Sequence, residues 1–163
     1  MKINILTTGG TIDKLYFDQK SAFQVGEPQI GQLLLEANVT LEYEIRTLLH
    51  KDSLEMTDAD RELIATVVAS VPGRHFLITH GTDTMLQTAL RLQKIPEKVI
   101  VLTGAMQPAR IRNSDAFFNI GFALAALQLL PAGAYVAMNG RIFTPERTRK
   151  KICSATSWRL WCC

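Results

Sequence analysis

Three short apolar runs, each closing on threonine and glycine, restrict the folds open to this chain more than any other feature. Ile3-Asn4-Ile5-Leu6-Thr7 leads to Gly9-Gly10, His75-Phe76-Leu77-Ile78-Thr79 to His80-Gly81, and Val99-Ile100-Val101-Leu102-Thr103 to Gly104. Apolar runs of this length, bounded by turn residues, predict buried strands. Thr40 to Leu49 and Ala134 to Met138, the latter ending at Asn139-Gly140, predict two more.

Helical signals fill the gaps between the strands. Pro28 opens a helix through about Ala37, and Thr57-Asp58-Ala59-Asp60 resembles a capped start for the next. Leu63, Ile64, Val67, Val68 and Val71 give that helix one apolar face before Pro72-Gly73 ends it. Thr82-Asp83-Thr84 offers caps for a third helix, which Ile95-Pro96 terminates, and Ser114-Asp115 starts an apolar fourth to Leu130. Residues 12–27 are polar and mixed and read as a flap.

Strand alternating with helix predicts an α/β fold: a three-layer αβα sandwich around a mostly parallel, doubly wound sheet of flavodoxin or Rossmann type. Ligands of such sheets bind beyond the carboxyl ends of the strands. The junctions at 7–11, 79–84 and 103–105 are expected to converge there. At 163 residues, with 47% hydrophobic and 20% charged side chains, the composition fits one globular domain and excludes disordered, collagenous and disulfide-framework classes.

The longest apolar stretch, Ile120 to Pro131, is too short to span a bilayer, so no membrane role is expected. Met1-Lys2 runs straight into the first strand, and Cys153, Cys162 and Cys163 crowd the end, so the expected location is cytoplasmic. The net charge of +3 arises in residues 141–163, where Arg141, Arg147, Arg149, Lys150, Lys151 and Arg159 face one acid, Glu146. A short basic cluster of this kind reads first as a solvated terminal segment and second as a place to meet phosphate or an anionic substrate, and no nucleic-acid partner is inferred from it.

Several chemistries lack their signatures. The first junction has neither the Gly-x-Gly-x-x-Gly spacing of dinucleotide sites nor a P-loop lysine, so no cofactor is expected. His50, His75 and His80 show no ligand spacing, and no metal is expected. Gly-x-Ser-x-Gly does not occur. Threonine occupies the elbows instead, and a threonine hydroxyl becomes a nucleophile when a base takes its proton and N–H groups hold the oxyanion. Thr11 follows the glycine pair and Thr82 adjoins Asp83; taken singly, Thr11 reads more readily as shaping a turn and Thr82 as capping a helix than as reactive groups.

Taken together, these segments resemble the L-asparaginase family. Thr8-Gly-Gly-Thr-Ile12 is similar to its first threonine motif and Thr79-His-Gly-Thr-Asp-Thr-Met85 to its second, longer one. Thr103-Gly-Ala-Met-Gln-Pro108, then Ser114-Asp115 and Asn119, resemble later signatures, so the likeness runs over about residues 2–151. It implies an amidohydrolase that cleaves the side-chain amide of asparagine or a related small amide and releases ammonia. By this resemblance Thr11 is the nucleophile, assisted by Tyr16 or another flap residue. Thr82, Asp83 and Lys150 match the second catalytic triad. Gly10, Asp52, Ser53, Gly81 and Ala105 would contact the substrate, and a homo-oligomer is expected.

The chain also departs from the family pattern. Leu54 follows Ser53 where many members carry a polar residue, so one hydrogen bond to an amino-acid head group is missing. Phe23 stands near the position of the flap tyrosine and has no hydroxyl to relay a proton. Family enzymes carry a second domain after the part matched here, which leaves an alternative open: a catalytically weak module that binds an amino acid or other small ligand. After Lys151 the text changes character, and residues 152–163 are expected to be a tail foreign to the domain formed by residues 1–151.

Overall fold

The computed structural model describes residues 1–17, 22–147, 149–150 and 161–162. Its framework is a six-stranded sheet in the order β4-β1-β5-β6-β7-β8, built from β1 (Lys2–Thr7), β4 (Glu42–Thr47), β5 (His75–Thr79), β6 (Val99–Thr103), β7 (Gly133–Met138) and β8 (Arg141–Phe143). The first five strands run parallel and β8 returns antiparallel to β7. Counted among the parallel strands alone the order is 2-1-3-4-5, and the winding reverses between β1 and β5. The expected α/β class, doubly wound and mostly parallel, is the observed one.

Side chains alternate across the strands and both faces are covered. Ile3, Ile5, Leu77, Val99 and Val101 point to one side, where α1 (Ile30–Glu36) and α4 (Ala116–Leu129) pack on them. Leu6, Phe76, Ile78, Ile100 and Leu102 point to the other, under α2 (Asp58–Ser70) and α3 (Met85–Leu92). These continuous apolar runs are therefore a consequence of double coverage. Thr57 caps α2 as the sequence predicts: its hydroxyl accepts from the Asp60 N–H while the Asp60 carboxylate accepts from the Thr57 N–H.

Two caps differ from expectation. Thr84 is the N-cap residue of α3 but makes no capping bond; its hydroxyl donates instead to the Ser53 carbonyl at 2.8 Å. Asp115 begins α4 without capping it, because its carboxylate turns toward the 103–107 loop. Residues 12–27 contain a hairpin, β2 (Lys14–Phe17) paired antiparallel with β3 (Ala22–Val25), that hydrophobic patterning does not reveal. Two further short strands, β9 (Arg149–Lys150) and β10 (Trp161–Cys162), pair with each other. The rest of the tail expected to be foreign lies outside the described residues. No helix among the described residues is long and apolar enough to cross a membrane.

Candidate active site

The ends of β1, β5 and β6 finish level: Thr7 pairs with Thr79 and Thr79 with Thr103. The bonds that continue past these ends tie the loops together. Thr8 donates its N–H and its hydroxyl to the Thr79 carbonyl, at 3.1 and 2.9 Å, and the His80 N–H donates to the Thr103 carbonyl at 2.9 Å. The three junctions thus sit side by side at the reversal of strand order, where doubly wound sheets open a crevice.

Glycine is required at the first loop. Gly9 and Gly10 both have φ near +94°, a region that side chains rarely adopt. A methyl group on Gly9 would fall 2.6 Å from the Lys51 carbonyl oxygen, and one on Gly10 would fall 2.5 Å from the Cα and N of Gly81. Backbone therefore meets backbone between the loops after β1 and β5. Thr11 then opens a short 3-10 turn, Thr11–Asp13, and is half-buried, while Thr82 is buried and Asp83 exposed.

Ser53 joins the same cluster from a separate loop. It is 2% exposed, lies against Gly81, and its Oγ accepts from the Asp83 N–H at 3.3 Å. Asp52 caps the turn that carries Ser53 by accepting from the Leu54 N–H at 3.1 Å, and pairs with Lys14 at 2.6 Å. The hydrogen bond from Lys14 holds the Asp52 carboxyl below its usual pKa. Lys14 opens β2, so this ion pair fastens the base of the flap hairpin to the Asp52-Ser53 turn. Sequence reading missed Lys14, although it is the first charge after the Thr-Gly-Gly-Thr loop apart from Asp13. Beside the pair is a depression of about 420 Å³ lined also by His50 and Leu54, the latter 75% exposed.

His80 shows how the second loop is held from beneath. Its ring is fully buried, with Nδ1 2.7 Å from the Gly81 carbonyl and Nε2 2.8 Å from the Thr88 hydroxyl. A carbonyl only accepts, so Nδ1 carries the proton and Nε2 accepts from Thr88. Burial pushes the pKa down to about 4 and keeps the ring neutral. His80 is a fixed strut under Gly81. Among the described residues, no group of three or more His, Cys, Asp or Glu side chains could hold a metal ion.

The third loop is fixed by the Ser114-Asp115 and Asn119 signature. Asp115 accepts from the Met106 and Gln107 N–H groups at 2.9 and 3.1 Å and from Asn119 Nδ2 at 2.9 Å. Asn119 also donates to the Gly104 carbonyl at 3.0 Å and accepts from the Asn139 N–H at 2.9 Å. Ala105 is buried on this loop, and a methyl group on its neighbour Gly104 would fall 2.3 Å from the His80 carbonyl oxygen. Polar side chains that read in sequence as signature residues are here the braces of a backbone loop.

Asp13, two residues after Thr11, does not stand out in the sequence. It is 1% exposed; Oδ1 accepts from the Gln29 N–H at 2.9 Å, and Oδ2 has no partner among the described residues. Burial raises its pKa to about 6 against the lowering effects of that bond and of His50. The placement of Thr11, Thr82, Asp83, Gly10, Gly81, Ser53, Asp52 and Ala105 around adjoining loops is thus clear. The side chains of Tyr16, Phe23 and Lys150 lie outside the described residues, although the backbone puts Tyr16 and Phe23 opposite each other in the hairpin.

Fold and site together define a doubly wound α/β domain whose hydroxyl-bearing turns meet at the switch point of the sheet. The chain belongs to the asparaginase family, whose N-terminal domain ("Asparaginase, N-terminal") matches residues 2–157. It is 31% identical to the L-asparaginase of Thermococcus kodakarensis over 156 residues, covering 92% of this chain and 48% of that protein. The solved structure of that thermostable enzyme superposes with a TM-score of 0.77 over 92% of this chain and 48% of the other. A probable periplasmic L-asparaginase of Haemophilus influenzae is 34% identical over 86% of this chain and 43% of its own length. One polypeptide of the glutamyl-tRNA(Gln) amidotransferase of Methanococcus vannielii is 33% identical, over 86% of this chain and 34% of its own. The chain spans about half the length of the asparaginases it matches.

Proposed function

We propose that this chain is the catalytic domain of an amidohydrolase acting on the side-chain amide of asparagine or a related small amide. Thr11 Oγ attacks the amide carbon while a flap group, Tyr16 in this reading, takes its proton. The tetrahedral oxyanion collapses, the C–N bond breaks and the nitrogen leaves as ammonia with the proton it has gained. Water then attacks the threonine ester, releases the carboxylic acid and restores the hydroxyl. Thr82, Asp83 and Lys150 form the second set, in which a lysine beside a carboxylate and a hydroxyl serves as base. Gly10, Gly81, Asp52, Ser53 and Ala105 line the substrate. Residues 1–151 make up the working domain, which needs no cofactor and acts as a cytoplasmic homo-oligomer.

What supports this reading is the backbone contact between Gly10 and Gly81, each followed directly by one of the two threonines. The test is ammonia release from asparagine and glutamine by wild type, Thr11→Ala and Thr82→Ala. Thr11→Ala should fall to background and Thr82→Ala should lose about a hundredfold or more in kcat. Full activity in both variants would sink the threonine mechanism. A second reading is a module of the same fold that binds an amino acid or other small ligand with weak catalysis. Asparagine that raises Tm without releasing ammonia would support it.

A further inference from the structure

Asp13 is bonded through its N–H, its carbonyl and its side chain, each to a different part of the chain. The N–H donates to the Gly10 carbonyl at 3.2 Å and closes the turn that carries Thr11. The carbonyl accepts from the Gly26 N–H at 2.8 Å, which brings the end of the β2–β3 hairpin back to its start, one step outside the Lys14–Val25 pair. Oδ1 accepts from the Gln29 N–H at 2.9 Å, at the entry to α1.

The far end of that side-chain bond is itself held. Gln29 is buried, and its Oε1 accepts from Arg110 Nε at 2.9 Å. The loop carrying Arg110 is tied back to the Thr11 turn, because the Ala109 N–H donates to the Ile12 carbonyl at 3.0 Å. A methyl group on Gly26 would fall 2.6 Å from Leu15 Cδ1, so the chain after β3 lies close against β2. Asp13 therefore stands between the Thr11 turn, the hairpin and a fixed anchor. Its Oδ2 is buried without a donor among the described residues, an arrangement that a residue chosen for stability alone would avoid.

We propose that Asp13 is a positioning residue: its carboxyl, holding the Gln29 N–H, sets the direction in which β2 leaves the Thr11 turn and so the place of Tyr16 relative to Thr11. The inference rests on the reading of Thr11 as nucleophile and Tyr16 as the group that takes its proton. Tyr16 follows Asp13 by three residues on an extended strand, a lever of about 10 Å, so a rotation of about 10° at Asp13 moves the Tyr16 backbone by about 1.7 Å. A displacement of that order at a reacting group costs about ten- to a hundredfold in rate. The carboxyl makes no bond to the loops of Ser53, Gly81 or Ala105, so its loss falls on kcat and leaves KM nearly unchanged.

The test has a structural arm and a kinetic one, both on the full chain. In hydrogen exchange read by mass spectrometry, Asp13→Ala should speed exchange in Lys14–Phe17 and Ala22–Val25 by about fivefold or more while the six-stranded sheet keeps its wild-type rates. In ammonia release from asparagine, Asp13→Ala should lower kcat by about tenfold or more with KM within about twofold of wild type. Asp13→Asn retains an oxygen for the Gln29 N–H and should restore both readouts. Circular dichroism and Tm establish folding; where Asp13→Ala does not fold, Asp13→Ser, whose hydroxyl stops one bond short of Oδ1, carries the same expectations. Exchange that rises evenly along the chain, an unchanged kcat, or equal losses in Asp13→Ala and Asp13→Asn would overturn the inference and leave the catalytic reading intact. Full activity in Thr11→Ala or Tyr16→Phe would instead sink the catalytic reading and the inference with it.

Discussion

Gly10 and Gly81 touch through their backbones, at a distance that leaves no room for a methyl group on Gly10. For any larger residue, strain and clash therefore coincide at one position, with φ at +94° and an added methyl only 2.5 Å from the Gly81 Cα. Gly10→Ala should destabilise the fold by about 2–4 kcal/mol, measured by urea unfolding. Ammonia release should be lost even where the variant remains folded, because the two turns must part. Wild-type stability in this variant would mean that the loops are not packed as described.

Asp115 braces the 103–107 loop through two backbone N–H groups and Asn119. Asp115→Ala leaves these donors without an acceptor in a partly buried place and should cost about 3 kcal/mol in chemical denaturation. Asp115→Asn keeps one acceptor oxygen and should cost roughly half as much. Equal losses in the two variants would contradict the bracing role.

The Lys14–Asp52 pair is a quarter exposed on each side, so solvent screens it. Lys14→Met should change stability by less than about 1 kcal/mol. If the Asp52-Ser53 turn holds the substrate, KM should rise several-fold while kcat changes little. Steady-state kinetics with asparagine separate the two, and a pure kcat loss would place Lys14 elsewhere in the reaction.

Asp13 makes stability fall as pH rises. With its pKa raised from 3.8 to about 6 by burial, the folded chain keeps a proton that the unfolded chain has released between those values. The favourable contribution is complete below 3.8 and is lost as pH passes through about 6. Relative to Asp13→Asn, wild type should lose about 2 kcal/mol on going from about pH 4.5 to 7.5. Parallel urea midpoints for the two proteins would refute this.

His80 works in the opposite direction. Its folded pKa is lowered from 6.5 to about 4, so the unfolded chain takes up a proton first as pH falls. Stability is intact above 6.5 and is lost as pH drops toward about 4. His80→Asn, which keeps a donor for the Gly81 carbonyl, should remove about 2 kcal/mol of the loss between about pH 7.5 and 5. An unchanged acid limb in thermal melts would show that the buried ring is not responsible.

What the sequence disclosed follows from what each interaction depends on. Strand β5 is legible to the residue and β6 to within one, its expected end at Gly104 falling back to Thr103, because a buried parallel strand is an uninterrupted apolar run stopped by threonine and glycine. The cap of α2 is legible because Thr57 and Asp60 are three residues apart. The β2–β3 hairpin is not, since its mixed composition has no clean alternation, and β8 is only three residues long. In the candidate site, Thr11 and Thr82 stand out through local motifs. Lys14 against Asp52, and Asp115 against the 103–107 loop, depend on how separate segments fold together. Asp115 reads as a helix cap because its position in sequence suits one.

Thr7, Thr79 and Thr103 stand in one hydrogen-bonded row across three neighbouring strands. One extra residue in any of these strands would lift its loop by about 3.3 Å relative to the others and turn every side chain beyond it to the opposite face. The platform should therefore accept many exchanges of one amino acid for another while refusing insertions and deletions, so that length, more than identity, is what these three strands must keep in common.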